Sequence, residues 1–279
     1  MADRLTDILE RFDLRARVFH SGAMCGVAAF DDSSSSGHLH LLRSGRLRVE
    51  QAHAEVLELD QPTLLFYATS SPHRLVTSPD EEVELLCASV DFGAGAHNPL
   101  LASLPPLLAI PLQRKSILSK TLDLLFEEAF SDYCGKQIAL DRLTELLMLQ
   151  MLRFVMEEKL IASGTLAGLA DPRLAKALIA IHKQPEASWT LERLAAQSGM
   201  SRARFAAHFH QVVGTTPGDY LSDWRLAIAK SLLKQGKPVK NVALDVGYAN
   251  ASALARAFAT RLGVSPTTWL AAEKAVVSA

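Results

Sequence analysis

Three histidines in the first third of the chain could bind a metal ion or a polar ligand. His38 and His40 form a His-x-His pair, and His73 follows in a later apolar segment. Side chains two residues apart on a β-strand point to the same side, so the pair would present both imidazoles to one site. Imidazole nitrogens bind zinc and related metals, and they also exchange hydrogen bonds with polar ligands. We predict that the three histidines line or flank an effector pocket without a metal, and a structural or sensory zinc site is the alternative.

The chain also contains three cysteines, Cys25, Cys87 and Cys134. They are odd in number and far apart, which argues against a disulfide framework and agrees with a reducing cytoplasm. Cys87 lies in an apolar run typical of a buried strand, so we predict that it packs in the core rather than sensing oxidants. The sequence has no glycine-rich phosphate loop, nucleophile elbow or paired carboxylates. We therefore expect no enzymatic activity and no cofactor.

The charges are distributed unevenly along the 279 residues. Residues 1–170 contain 15 Lys and Arg against 23 Asp and Glu, whereas residues 171–279 contain 14 against 7. The basic C-terminal third predicts a polyanionic partner such as double-stranded DNA, and a solvated basic surface without a partner is the alternative. The charged N-terminus does not resemble a signal peptide, and no apolar run reaches the roughly 20 residues of a membrane helix. We expect a cytoplasmic protein without a membrane partner.

An internal repeat occupies the basic segment, in residues 191–217 and 239–266. The matched pairs are Ala195 with Ala243, Gly199 with Gly247, Phe205 with Leu254, Phe209 with Phe258, Gly214 with Gly263 and Pro217 with Pro266. A small residue lets two helices cross closely, a glycine permits a left-handed turn, and apolar residues four apart fasten the second helix to the first. The repeat predicts two helix-turn-helix units, with an α-hairpin repeat that binds no ligand as the alternative.

The other elements must position these residues. Short apolar runs separated by turn residues between about 17 and 92 predict a small antiparallel barrel or sandwich. After it we expect helices at about 115–131 and 136–161, a linker at Gly164–Gly168, a helix opened by Asp171 and Pro172, and a long helix at 217–235. The long helix would hold the two helix-turn-helix units at a fixed separation, because recognition helices in successive major-groove segments lie about 34 Å apart.

Residues 172–270 resemble the DNA-binding domain of the AraC/XylS family of transcription regulators. The similarity is carried by the closing GVSPTTW, by the VGY turn and by LARAF after it. The upstream ALDRLTELLMLQMLR and DPRLAKALIAIHKQPEASWTLERLA resemble a subgroup with a cupin-type barrel. This resemblance implies an α+β chain in three parts. They are a cupin-like jelly-roll effector domain at 1–110, a helical dimerisation segment and linker at 111–168, and an all-α DNA-binding domain at 169–279, with helix-turn-helix units at about 190–212 and 239–262.

In that family the groove-facing positions are often large and polar, but here several are alanine. Alanine can contact a thymine methyl but donates no hydrogen bond, so specificity would depend more on phosphate contacts and DNA shape. Arg202, Arg204, Asn250 and Arg256 are the expected polar contacts, with solvated surface charge as the alternative for the first two. The full set of predicted DNA-binding residues is Ser201, Arg202, Ala203, Arg204, Ala206, Ala207, Asn250, Ser252, Ala253 and Arg256.

The resemblance to cupins stops short of their metal enzymes. A catalytic cupin would need a glutamate a few residues after the His-x-His pair, and Arg43 and Ser44 stand there instead. We predict a homodimeric transcription regulator that binds DNA, responds to an unknown small-molecule effector in the barrel and contacts RNA polymerase. The alternatives are a constitutive DNA-binding protein whose barrel only dimerises, and a metal-binding cupin sensor or enzyme.

Overall fold

The computed structural model describes residues 3–30, 36–52, 54–78, 81–93, 98–112 and 117–277, without the side chains of 274–277. The chain forms two compact units. The β unit comprises Asp13–Ala96 and Leu104–Leu160, and the helical unit comprises Met1–Phe12, His97–Ser103 and Ile161–Ala279. Within the described residues, no helix is both long enough and apolar enough to cross a membrane.

Two antiparallel sheets make up the core of the β unit. The strands are β1 (Arg15–Met24), β2 (Val27–Phe30), β3 (Gly37–Ser44), β4 (Leu47–Gln51), β5 (Leu57–Leu59), β6 (Thr63–Tyr67), β7 (His73–Val76), β8 (Val83–Asp91) and β9 (Leu107–Pro111). One sheet has the order β1-β8-β3-β6-β9 and the other the order β2-β7-β4-β5. Neighbouring strands in the chain often lie in different sheets, as in a jelly roll. This arrangement agrees with the sequence prediction.

The apolar core of the β unit comes from side chains that alternate along the strands. Leu42 on β3, Leu65 on β6, Leu75 on β7 and Leu85 on β8 are buried together in one cluster. Cys87 belongs to the same cluster and is 1% exposed, which confirms its predicted place in the core.

Two helices complete the β unit, α2 (Ser119–Ala129) and α3 (Lys136–Glu157). Helix α3 lies along β1, the edge strand of the five-stranded sheet. The carboxylate of Asp141 accepts a hydrogen bond from the backbone N–H of Val18 at 2.8 Å, and the Gln137 side chain donates to the Val18 carbonyl at 2.9 Å. These bonds satisfy backbone groups that an edge strand would otherwise expose for pairing with another chain.

Nine α-helices of the described residues belong to the helical unit, and eight of them follow the β unit in the chain. They are α4 (Thr165–Ala170), α5 (Leu174–Lys183), α6 (Leu191–Gln197), α7 (Arg202–Val213), α8 (Pro217–Lys234), α9 (Val239–Asp245), α10 (Ala251–Leu262) and α11 (Pro266–Val277). The ninth is α1 (Thr6–Phe12), which precedes the β unit in the chain. As predicted, Asp171 opens α5: its carboxylate accepts from the N–H groups of Arg173 at 2.8 Å and Leu174 at 3.0 Å.

The prediction of a linker at Gly164–Gly168 is wrong, because α4 begins at Thr165. Gly168 lies inside this helix, where a Cβ atom would come within 2.6 Å of Leu178 Cδ1 and 2.9 Å of Val213 Cγ2. The glycine therefore allows α4 to pack closely against α5 and α7. A glycine needed for close packing cannot be distinguished from a linker glycine by local sequence.

The first residues of the chain also pack in the helical unit. Phe12 lies edge-on against Trp224 of α8, with ring centroids 5.3 Å apart. The Arg11 guanidinium donates to the His182 carbonyl at the end of α5, at 3.1 Å. This division differs from the expected domain at 1–110, because α1 and residues 98–103 belong with the C-terminal helices. The sequence shows that α1 has an apolar face but not which partner covers it.

Candidate nucleic-acid interface

The first helix-turn-helix unit, which we call HTH1, consists of α6 and α7. The turn between them contains Gly199 at a φ of +62°. Ser201 caps α7, since its side chain accepts from the Arg204 N–H. Phe205 and Phe209 are fully buried, and Ala195 of α6 is 2% exposed. One face of α7 is thus fastened inside the unit, and the opposite face remains available for a partner.

The second unit, HTH2, consists of α9 and α10 and repeats this design. Its turn contains Gly247 at a φ of +84°. Leu254 and Phe258 are fully buried on α10, and Ala243 is fully buried on α9. Asn250 caps α10, because its side-chain oxygen accepts from the Ala253 N–H at 2.9 Å. The Asn250 side-chain NH2 group stays available for a second hydrogen bond.

Every residue predicted to contact DNA lies at the surface of HTH1 or HTH2. Ser201, Arg202, Ala203, Arg204, Ala207, Asn250, Ser252 and Arg256 are exposed, and Ala206 and Ala253 are half-buried. Neither Arg204 nor Arg256 forms an ion pair within the described part of the chain. Arg202 differs, because its Nε lies 2.9 Å from the Glu192 carboxylate of α6. Of these three arginines, Arg204 and Arg256 thus need break no ion pair of the described residues to meet an anion such as a phosphate.

Two polar contacts that the sequence did not indicate hold the recognition helices in place. His208 on α7 bonds through Nε2 to the Asp171 carboxylate at 2.8 Å. The Arg261 guanidinium on α10 pairs with Asp219 at the start of α8. Both contacts join helices that are distant in sequence, so no local signal could have revealed them. They fix the orientation of each recognition helix about its own axis.

The three histidines of the sequence analysis come together inside the β unit. The ring centroids of His38 and His73 lie 5.6 Å apart, and those of His40 and His73 lie 5.0 Å apart. All three are buried, with His40 fully so. The Tyr67 ring stacks on His73 at 4.0 Å, and its buried hydroxyl has no hydrogen-bond partner among the residues that the structure describes.

Hydrogen bonds join these side chains in a series in which each group donates to the next. His73 Nδ1 lies 2.7 Å from the Ser71 carbonyl, which can only accept, so this nitrogen carries a proton. His73 Nε2 therefore accepts from His40 Nε2 at 2.8 Å, and His40 Nδ1 accepts from the Cys87 thiol at 3.0 Å. Burial, followed by the charges of the neighbouring histidines, lowers the pKa of His40 well below its usual range. Burial raises the pKa of the Cys87 thiol, so both groups are neutral.

A metal centre is not assembled in this arrangement. Among the residues that the structure describes, no group of three or more His, Cys, Asp or Glu side chains is placed to hold a metal ion. Instead, the two imidazoles nearest each other use their facing nitrogens to form a hydrogen bond. The cluster is a buried polar network in an apolar core, which is a costly arrangement unless its groups are satisfied.

Family models match both the N-terminal and the C-terminal part of the chain. The family described as Cupin matches residues 3–157, and the family described as Helix-turn-helix domain matches residues 194–272. An uncharacterised HTH-type transcriptional regulator of Haemophilus influenzae is 37% identical over 292 residues, which cover 96% of this chain and 97% of the relative. A putative AraC-like transcription regulator of Streptomyces antibioticus is 33% identical over 190 residues. The chain belongs to the AraC-like transcription regulators.

The coverage of these relatives differs. The match to the Streptomyces protein covers 67% of this AraC-like regulator but 63% of that relative's length. Among solved structures, ToxT from Vibrio cholerae O395 is similar over 92% of this chain and 96% of its own, with 14% identity and a TM-score of 0.40. The predicted fold class is confirmed: a sheet-rich cupin domain precedes a helical domain with helix-turn-helix units in this AraC-like regulator.

Proposed function

We propose that this AraC-like regulator binds double-stranded DNA in a sequence-specific way and regulates transcription rather than catalysing a reaction. The observation that carries the proposal is that two recognition helices, α7 and α10, expose equivalent faces within a basic segment of the chain. Exposed arginines on both faces supply phosphate or base contacts, and the helix-turn-helix frame supplies the geometry for two major-groove segments. A cytoplasmic location, with the chromosome as the target, is part of this proposal.

The test of DNA binding is selection from a random-sequence duplex library with the full-length protein. We expect enrichment of a bipartite sequence whose two boxes are centred about one helical turn apart. Titration of the selected duplex against a scrambled duplex of the same composition then measures specificity at a stated salt concentration. Equal affinity for both duplexes would reject sequence-specific binding and leave only charge attraction.

Control by a small-molecule effector in the β unit is supported by the buried network around His40 and His73. The Tyr67 hydroxyl beside this network has no hydrogen-bond partner in the described part of the chain, and an unsatisfied buried hydroxyl is costly. A polar group of a bound effector would satisfy it. A ligand that binds the folded state raises the melting temperature by mass action, so thermal-shift screening of a metabolite library tests this step.

A constitutive regulator whose β unit only dimerises is the second candidate. It is favoured by the core of the β unit, where Leu42, Leu65, Leu75 and Leu85 pack in one cluster with Cys87. A core filled by its own side chains leaves less space for an organic ligand. In this case no library compound would change both the melting temperature and DNA affinity.

We further propose a homodimer formed through α2 and α3, and contact with RNA polymerase once the dimer is on DNA. The two helices and the loop between them carry exposed apolar side chains: Leu124, Phe130, Tyr133, Ile138 and Leu146 range from 42% to 69% exposed. Exposed apolar patches on a regulator suit an interface between copies. Multi-angle light scattering should give twice the monomer mass, and the double variant Ile138→Asp, Leu146→Asp should shift the mass to that of the monomer.

A further inference from the structure

Arg225 lies on α8, the helix that connects HTH1 to HTH2. Its Nε donates a hydrogen bond to the Pro185 carbonyl at 2.8 Å, and its Nη2 donates to the Ala187 carbonyl at 3.0 Å. Both carbonyls belong to the loop between α5 and α6, immediately before HTH1 begins. One planar guanidinium therefore anchors the entrance of HTH1 to the middle of the molecule's connecting helix.

The other side of the same guanidinium meets HTH2. Arg225 Cζ lies 5.7 Å from the centroid of the Tyr248 ring, in the turn between α9 and α10. A Cβ atom on Gly247 would lie 2.7 Å from Arg225 Nη2 and 2.8 Å from the Glu186 Cα. The turn of HTH2 is thus in direct contact with both Arg225 and the loop that precedes HTH1.

The connecting helix alone leaves more freedom than these contacts allow. Helix α8 ends at Lys234 and α9 begins at Val239, so a short link attaches HTH2 to the helix. Gly236 in this link has a φ of +84°. A hinge at the link could swing HTH2, but any such motion would break the packing of Tyr248 and Gly247 against Arg225.

We propose that Arg225 is a positioning residue that clamps HTH2 to the entrance of HTH1 and so sets the spacing of the two DNA boxes. This inference rests on the proposed DNA-binding function. Arginine suits the role because its rigid fork donates in two directions while its face packs on an aromatic ring. Lysine keeps the charge but has a single flexible ammonium group, which cannot hold both carbonyls in the same geometry.

The experiment uses the full-length protein and the duplex selected by the wild type. Three further duplexes are made: one with the segment between the boxes longer by one base pair, one with it shorter by one, and one with the second box scrambled. We expect the wild type to lose about tenfold in affinity when the spacing changes, because one base pair displaces and rotates one box relative to the other. Arg225→Lys should reduce this loss to about threefold or less. Its affinity for the duplex with the second box scrambled should change less than twofold.

Arg193→Lys is the matched control. Arg193 also donates to a backbone carbonyl, that of Ser188 at 2.5 Å, and also lies over an aromatic ring, Trp189 at 4.8 Å. These contacts stay within the entrance of HTH1 and do not reach HTH2. Arg193→Lys should therefore keep the spacing penalty of the wild type, whatever its effect on overall affinity.

Tyr248→Leu removes the aromatic ring from the HTH2 side of the clamp. It provides the test of the clamp if Arg225→Lys does not fold. A variant with a wild-type melting temperature and an undiminished spacing penalty would overturn the clamp. A wild type that selects a sequence but tolerates both altered spacings would also overturn it, while leaving the proposed function intact. Failure of the wild type to select any sequence would overturn the proposed function, and the clamp with it.

Discussion

Among single residues, Arg256 has the clearest expected effect on DNA binding. It is exposed on α10 and forms no ion pair within the described part of the chain, so its guanidinium can reach DNA without breaking an existing contact. If Arg256 contacts a base, Arg256→Ala should weaken binding to the selected duplex by about 1–3 kcal/mol. If Arg256 contacts a phosphate, the substitution should weaken binding to all duplexes by a similar factor, whatever their sequence. Gel-shift titration at two salt concentrations separates these cases, since loss of a phosphate contact lowers the salt dependence.

Arg153→Ala serves as the control for Arg256→Ala. Arg153 is also exposed but lies on α3 in the β unit and is part of neither helix-turn-helix unit. Its loss should leave the affinity within about 0.5 kcal/mol of the wild type, as for most surface substitutions. Equal affinities for wild type and Arg256→Ala would remove Arg256 from the interface.

A buried histidine in the helical unit should make stability depend on pH. His182 Nε2 lies 2.6 Å from the Tyr220 hydroxyl, and burial, helped by the charge of Arg11, lowers the pKa of His182 to about 3. In the unfolded chain its pKa is near 6.5, so unfolding takes up a proton below that pH. The stabilisation is complete above pH 6.5 and is lost as the pH falls toward about 3, by at most about 1.4 kcal/mol per pH unit.

His182→Gln should remove this dependence, because glutamine can still bond to the Tyr220 hydroxyl but does not titrate in this range. Urea unfolding at pH 7, 6 and 5 gives the free energy of unfolding of each protein. The slope between pH 6 and 5 should be smaller for the variant than for the wild type. Identical slopes would show that the proton is taken up elsewhere.

The sequence predicted that the arginines of the recognition helices are exposed, but not which of them form ion pairs. Arg202 and Arg204 look equivalent in the sequence, yet only Arg202 pairs with Glu192. Asn250 was expected to be a polar reader, and its oxygen is already used to cap α10. Such differences depend on how helices cross, which residue types and spacing do not determine.

At the scale of elements, Asp171 links the start of α5 to the recognition helix α7. Its carboxylate accepts from the N–H groups of Arg173 and Leu174 and bonds to His208 at 2.8 Å. Partial burial alone would raise the pKa of Asp171, but the Leu174 N–H and His208 outweigh it, so the pKa is lowered. Asp171→Ala should therefore cost about 1 kcal/mol of stability at pH 7, as for other helix caps.

The pH dependence of the Asp171→Ala effect follows from the lowered pKa. The stabilisation by Asp171 is present above its unfolded pKa near 3.9 and is lost as the pH falls through the lower folded value. The stability difference from the wild type should shrink below about pH 4. Asp245→Ala is the control, because its carboxylate pairs with half-exposed Lys237 and should matter little. A difference that persisted unchanged at pH 3 would exclude a role for the charge.

Element prediction succeeded where a pattern was long and failed where a glycine was ambiguous. The long helix expected at 217–235 is α8, at Pro217–Lys234. Gly164–Gly168 was interpreted as a linker although α4 occupies most of it, because close packing against Leu178 and Val213 is a tertiary fact. The repeat was predictable because each copy contains its own turn glycine and its own apolar pair.

For the whole molecule, the charge difference between residues 1–170 and 171–279 predicts a polyanionic partner for the basic part. It does not show how the chain passes between the two units. Residues 98–103 lie between strands β8 and β9 in sequence but belong to the helical unit, where Ser103 Oγ accepts from the Thr165 N–H at 2.7 Å. An apolar stripe such as that of α1 predicts burial without naming the partner. The chain therefore enters and leaves the helical unit more than once.

Because α1 belongs to the helical unit, the DNA-binding unit depends on the first residues of the chain. Phe12 is 2% exposed and Trp224, its edge-on neighbour, is fully buried. Phe12→Ala should destabilise the helical unit by about 3 kcal/mol or more, the usual effect of removing a buried ring. Hydrogen exchange followed by mass spectrometry should show faster exchange in peptides from α5 and α8.

Phe19→Ala is a control with the same chemical change seven residues later, on β1. Phe19 is 50% exposed, so the loss of its ring should cost less than about 1 kcal/mol. Hydrogen exchange in α5 and α8 should then match the wild type.

Because Arg11 also bonds to the end of α5 at His182 and Lys183, α1 is held by polar as well as apolar contacts. If Phe12→Ala left the protection of α5 and α8 unchanged, α1 would be an appendage rather than a structural part of the DNA-binding unit.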